Sequence, residues 1–140
     1  MKFTIKGKTI VDGNVCGCVV ASHTALSFWG GVNAQSGLII DNHHERLGEC
    51  ITNKVLCIPY DRGSCSGSGV MLEMIRLKTA PAAIICIEAE PVLALGSVIG
   101  NEVYNRQIII CTVGSVDYVK IKNGDYIEIF EGGKIEVTRD

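Results

Sequence analysis

Six consecutive residues, Ala82-Ala83-Ile84-Ile85-Cys86-Ile87, carry no polar side chain, and this run constrains the fold more than any other part of the chain. Pro81 forbids a helix from running into it. A run this short with no polar face fits an inner strand covered on both sides, so the sheet that holds it needs a layer on each face. Glycine, at 16 residues, exceeds the roughly 7% average. It punctuates short apolar segments at Gly7, Gly13, Gly48, Gly96, Gly114, Gly124 and Gly132-Gly133, the texture of a strand-rich domain with tight turns. Strands are predicted near residues 2–7, 14–21, 37–41, 54–58, 82–87, 107–112, 125–130 and 133–138, with helices at about 67–78 and 91–99. The last two strands alternate cleanly across Glu131-Gly132-Gly133, a hairpin signal. The expected class is α/β: a strand-rich layered sheet with two main helices against it.

At 140 residues the chain fits one domain with a proper core, spanning 1–140. No internal repeat or linker divides it. Thirteen basic against fifteen acidic side chains give a net charge of −2 with no basic block, which argues against nucleic acid as a partner. The longest apolar runs, Pro81 to Ile87 and Pro91 to Ile99, fall far below the roughly 20 residues of a membrane span. The opening Met1-Lys2-Phe3-Thr4-Ile5-Lys6 lacks the apolar stretch of a signal peptide. Seven cysteines, an odd number without an export signal, suit a reduced, cytoplasmic location. They contain no CxxC pair and no fourfold zinc spacing, so no metal is expected on this chain. Cys16 and Cys18 share one face of a strand, and core filling is the expected role of every cysteine except Cys65.

The chemistry concentrates in Asp61-Arg62-Gly63-Ser64-Cys65-Ser66-Gly67-Ser68-Gly69. Small hydroxyl and glycine residues run directly into an apolar helical stripe formed by Val70, Met71, Met74, Ile75 and Leu77. The first N–H groups of such a helix have no internal partner, and glycines let a carboxylate or phosphate come close to them. Arg62 adds a cation at the mouth, while Gly63, Ser64, Cys65, Ser66, Gly67 and Ser68 supply the cradle. A plain helix cap uses the same residue types but needs only one hydroxyl. A second cluster, Leu26-Ser27-Phe28-Trp29-Gly30-Gly31-Val32-Asn33, sets the only tryptophan beside two glycines. Trp29, Gly30 and Gly31 can wall a pocket, or Trp29 can plug the core. Gly37-Leu38-Ile39-Ile40-Asp41-Asn42-His43-His44 reads as a strand ending in titratable groups. Adjacent histidines make a poor metal pair, so His43 and His44 are expected at a pocket, at an interface or on the open surface.

These segments, with Pro59 to Glu73 and Ala80 to Ile85, resemble the small, swivel-domain subunit of the aconitase X family from about residue 13 to residue 100. The resemblance implies a swivelling β/β/α domain that docks on a separate large subunit, with the active site between them. It implies hydro-lyase activity on cis-3-hydroxy-L-proline, as in bacterial relatives, or on mevalonate 5-phosphate, as in archaeal ones. It places an iron or iron–sulfur centre on the large subunit. It also makes Ser64 the catalytic base, with Arg62, Ser66 and the glycines as the surrounding cradle. Tyr60-Asp61 depart from the smaller residues expected before the arginine. Dehydration of a 3-hydroxy acid needs a base for the proton beside the carboxylate and a Lewis acid for the departing hydroxyl. Serine serves as that base only in a positive field, which Arg62 and the helix N–H groups provide.

Three other readings use the same residues. Ala21-Ser22-His23-Thr24-Ala25 superficially resembles a phosphohistidine loop, although the cradle lies some forty residues away. A non-catalytic regulatory module could hold an anionic metabolite in the cradle. A cysteine acyl-transfer enzyme could use Cys65 but lacks an identifiable base. Between the two dehydratase substrates, the Gly63-Ser64-Cys65-Ser66-Gly67-Ser68 form favours hydroxyproline.

Overall fold

The structure is a computed structural model that describes residues 1–60, 66–89 and 91–140, with the backbone alone for 66–68 and 92. Eight strands and four helices follow in the order β1 (Lys2–Lys6), β2 (Lys8–Val11), β3 (Val15–Ala21), α1 (Phe28–Gly31), β4 (Val55–Cys57), α2 (Ser66–Leu77), β5 (Ala83–Cys86), α3 (Pro91–Tyr104), β6 (Ile109–Thr112), α4 (Ser115–Tyr118), β7 (Tyr126–Ile129) and β8 (Lys134–Thr138). The strands form one sheet in the order β1-β8-β7-β3-β4-β5-β6-β2. Pairing from β1 to β3 is antiparallel, pairing from β3 through β4 and β5 to β6 is parallel, and β2 closes the far edge antiparallel to β6.

Strands β1 and β2 are consecutive in the chain yet lie at opposite ends of this order, with only Gly7 between them. The sheet must therefore curl until its edges nearly meet. At the seam Gly7 N–H donates to Gly133 O at 2.8 Å. Gly133 has φ +102°, and a Cβ there would collide with the carbonyl of Gly7. Only glycine gives both the left-handed turn of the β7–β8 hairpin and this close approach.

Curling divides the core into two layers, and side chains alternate between them. From β5, Ala83 and Ile85 enter the curled interior with Ile5, Ile109, Ile127 and Val137. Ile84 and Cys86 face the helices with Met71, Met74, Ile75 and Leu93. The wholly apolar 82–87 run thus has an apolar partner on each side, as its composition requires. Burying each isoleucine in full contributes about 1.5–3 kcal/mol.

Helix α2 lays Met71, Met74 and Ile75 on the sheet, with Val70 and Leu77 half-buried at the sides and a Glu73–Arg76 ion pair outside. It ends at Leu77 because Lys78 turns to φ +65° and Thr79 N–H reaches back to Met74 O at 2.9 Å. This stop comes ahead of Pro81. Helix α3 starts on Pro91, a favoured first position, and continues five residues beyond the expected end at 99. Its buried Ser97 clamps Ile108 through both the carbonyl and the N–H. No helix among the described residues is long and apolar enough to cross a membrane.

Three expectations require correction. Residues 37–41 form no strand. Leu38 and Ile39 make only single bridges, to Cys50 and Val32, because no neighbouring strand is available for a ladder. Residues 8–11 do form one, and the short helices α1 and α4 also appear. The cysteines divide: Cys57, Cys86 and Cys111 are buried as expected, but Cys16, Cys18 and Cys50 are exposed. Cys16 and Cys18 do share a face of β3, but it is the outer face beside β7, open to solvent. Burial pushes the Cys57 thiol far up, and burial followed by the Asp12 charge pushes Cys111 up to about 11.

Candidate functional site

Four parallel strands, β3 to β6, bring four connections to one edge, and in open α/β sheets this carboxyl edge is where ligands bind. The connections are tied side by side. Ser22 N–H donates to Cys57 O at 3.0 Å, Ile58 N–H to Ile85 O at 3.0 Å, Ile87 N–H to Pro59 O at 2.8 Å and Val113 N–H to Cys86 O at 2.9 Å. Tyr60 pairs with Glu88 just beyond. The chain then leads to α2, whose first turn is Ser66-Gly67-Ser68-Gly69. The N–H groups of that turn have no partner within the helix, and its positive dipole end adds to the attraction for an anion. Arg62, Gly63, Ser64 and Cys65 lie outside the described residues.

Beside α2, α1 is kinked: Gly30 has φ +79° and Trp29 leaves the helical region at ψ 118°. Phe28 is buried, so it and not the tryptophan plugs the core. Trp29 is 60% exposed, and its carbonyl accepts a hydrogen bond from Ser27 Oγ at 3.0 Å. Gly31 is buried and accepts from Ile40 N–H at 2.9 Å, so the 38–41 arm lies along α1.

The two histidines separate. His43 is exposed, and its N–H donates to Asp41 Oδ1 at 2.9 Å. His44 is only 4% exposed with both ring nitrogens engaged. Nδ1 accepts Arg46 N–H at 3.0 Å, so the ring proton sits on Nε2, which lies 3.2 Å from both Ser22 Oγ and Thr24 O. His44 therefore braces the turn that follows β3.

That turn, the 21–25 segment that superficially resembles a phosphohistidine loop, is held by Arg46, Asn123, Tyr118 and Glu45, which the sequence reading did not single out. Arg46 Nε donates to Ala21 O at 2.6 Å, Ala21 N–H to Asn123 Oδ1 at 2.9 Å, and Tyr118 OH to Ser22 O at 2.7 Å. Glu45 accepts from His23 N–H and from Thr24 Oγ1 at 3.4 Å. Burial raises the Glu45 carboxyl, but the bond from His23 N–H, the charges of His23 and Arg46 and the Thr24 hydroxyl outweigh it and leave its pKa lowered. Burial raises the Tyr118 phenol, keeping it a donor. The only signal in the sequence was the polar Ser22-His23-Thr24 at a strand end. Among the described residues no group of three or more His, Cys, Asp or Glu side chains could hold a metal, so they offer no ligand set for iron.

Residues 4–137 match the family model of the aconitase X swivel domain. The chain is 37% identical over 134 residues to a cis-3-hydroxy-L-proline dehydratase of Hypocrea jecorina, covering 96% of this chain and 22% of that protein. It is 40% identical over 121 residues to a phosphomevalonate dehydratase small subunit of Methanopyrus kandleri, covering 85% of this chain and 84% of that one. The chain thus spans about a fifth of the hydroxyproline enzyme and most of the small subunit. The crystal structure of holo aconitase X from Thermococcus kodakaraensis superimposes with a TM-score of 0.85 at 33% identity, covering 98% of this chain and 99% of that one. With the curled sheet, the two main helices and the α2 N-terminus at the carboxyl edge, these matches show that the chain belongs to the aconitase X swivel-domain family.

Proposed function

We propose that this chain is the swivel-domain subunit of an aconitase X-type hydro-lyase and supplies an anion cradle and a serine base to a site shared with a larger subunit. The carrying observation is the position of α2: a twelve-residue helix whose N-terminus opens at the carboxyl edge of four parallel strands. Arg62, Gly63, Cys65, Ser66, Gly67 and Ser68 hold the substrate carboxylate or phosphate, and Ser64 takes the proton beside the carboxylate. The same positive field that favours the alkoxide of Ser64 stabilises the enolate-like charge left behind. Departure of the hydroxyl needs a Lewis acid, which we assign to an iron or iron–sulfur centre of the larger subunit. Trp29 and Tyr60 are exposed, and we assign them to the contact with that subunit.

The substrate we propose is cis-3-hydroxy-L-proline, supported by the 37% identity to a hydroxyproline dehydratase. Mevalonate 5-phosphate is the second reading, supported by the 40% identity to a phosphomevalonate dehydratase small subunit. The test is turnover of each substrate by the chain alone and after addition of the large subunit. Dehydration is expected only in the mixture and with one substrate. Equal activity in the isolated chain would overturn the two-subunit reading.

A further inference from the structure

A second polar recess opens at the carboxyl edge, one strand away from β4. It is a cavity of about 100 Å³ between the end of β3 and the segment that joins α4 to β7. Its floor is buried and neutral: Ala21, Tyr118 and Ile121, with the Tyr118 hydroxyl already committed to Ser22 O. Its rim is made of donors. Arg46 is fixed there by its Nε bond to Ala21 O, Asn123 is fixed by accepting Ala21 N–H, and Lys122 and His23 complete the ring. No carboxylate lines the cavity. Two carboxylates beside it are already held: Glu45 by His23 N–H, by Thr24 Oγ1 and by the His23 ring, whose Nδ1 lies 3.8 Å from Oε2, and Asp125 by Arg139 and Lys122 N–H. The volume falls well short of the roughly 300 Å³ at which whole small-molecule sites begin. It suits one compact charged group.

We propose that this recess is a second oxyanion subsite, which takes a phosphate or carboxylate group between Arg46, Lys122, Asn123 and His23. Arg46 and Asn123, both held in place, and the exposed Lys122 ammonium over a buried floor give charge-assisted hydrogen bonds. The proposal rests on the functional reading above only in taking this edge as the cleft. A substrate with a single carboxylate fills the cradle alone. One with two anionic groups, or free phosphate beside the substrate, fills both.

The test is titration of the whole 140-residue chain with inorganic phosphate, followed by amide NMR. Saturable shifts are expected in two clusters, one at residues 61–66 and the other at 22–23, 46 and 121–123. Lys122→Met removes one charge-assisted bond and should weaken the second cluster about tenfold or more. His23→Ala, at a side chain 77% exposed, is the second variant and should weaken it too. Lys120→Met, a lysine outside the recess that pairs with Asp117, should leave it unchanged. Shifts confined to 61–66, shifts that survive Lys122→Met, or equal weakening by Lys120→Met would overturn the subsite. In the assembled enzyme, a KM increase from Lys122→Met for a doubly anionic substrate identifies the occupant as part of the substrate. Phosphate binding with no KM effect identifies free phosphate. Turnover is not needed for the titration, so an inactive assembly with phosphate in the recess would defeat the proposed function and leave the subsite standing.

Discussion

The parallel half of the sheet and the antiparallel half obey different rules. In β4, β5 and β6 nearly every side chain is buried, because helices cover one face and the curled interior fills the other. In β7 and β8 burial alternates, and the outer face carries Tyr126, Glu128 and Lys134 to solvent. Strand β3 belongs to both: its first half leaves Cys16 and Cys18 exposed, and Val19 to Ala21 are buried. The difference decides where connecting loops collect. Parallel strands send every connection after a carboxyl end to the same edge. Hairpins send theirs alternately to both, so the antiparallel half gathers no comparable set of loops and instead braces the seam and the β3 turn.

The comparison is tested most strongly at the parallel edge. Ser64→Ala removes one oxygen, and if Ser64 is the base, kcat of the assembled enzyme should fall by roughly 10²–10⁴ with little change in KM. Solvent exchange of the substrate α-hydrogen should disappear with it. Exchange at the wild-type rate would show that the base lies elsewhere. Next comes Ile85→Ala, which empties a fully buried site in the curled interior and should cost about 2–5 kcal/mol in denaturant unfolding. A cost near zero would mean that the interior is not packed as described.

A smaller effect is expected from the antiparallel side. Asp125 is 2% exposed, and Arg139 binds it through Nε and a terminal nitrogen at 2.8 Å each. The Arg139 hydrogen bond, against burial and with help from Lys122 N–H and nearby charges, holds the Asp125 carboxyl below its ordinary value. A depressed folded pKa stabilises the native state above the unfolded value of about 3.9 and is lost as pH falls through the lower, folded value. Wild-type stability should therefore fall on acidification below about pH 4 more steeply than that of Asp125→Asn. Parallel acid curves would remove Asp125 from that account.

What was legible in the sequence followed from local patterns. The 131–133 turn showed as alternation broken by two glycines, both at positive φ. The α2 stripe showed as spacing, and the 82–87 strand as an absence of polar side chains. Strand β2 was hidden because Lys8 to Val11 has a single glycine before it and pairs with β6 about a hundred residues away. The 37–41 segment carries the apolar Leu38-Ile39-Ile40 of a strand, but composition cannot supply a neighbouring strand. The brace at the β3 turn was illegible for the same reason: Ala21 and Asn123 are 102 residues apart, and only the closed sheet brings them together.

The smallest effects sharpen the division within β3. Cys16 and Cys18 lie on the uncovered stretch, whereas Cys57 lies level with Ala21 on the covered one. A thiol reagent added to the native chain should modify Cys16, Cys18 and Cys50 at once, and Cys57, Cys86 and Cys111 only at the rate of unfolding, read residue by residue by peptide mass. Cys16→Ser and Cys18→Ser should each change stability by less than about 0.5 kcal/mol, the usual range for surface positions. Cys57→Ser puts a hydroxyl among apolar side chains and should cost about 1–3 kcal/mol. Its thiol is also disfavoured as the reactive anion, because burial, then the charges of Cys86 and Asp125, push its pKa up. Rapid labelling of Cys57 in the native chain, or equal costs for the three serine variants, would show that the helix-covered half opens as freely as the hairpin half.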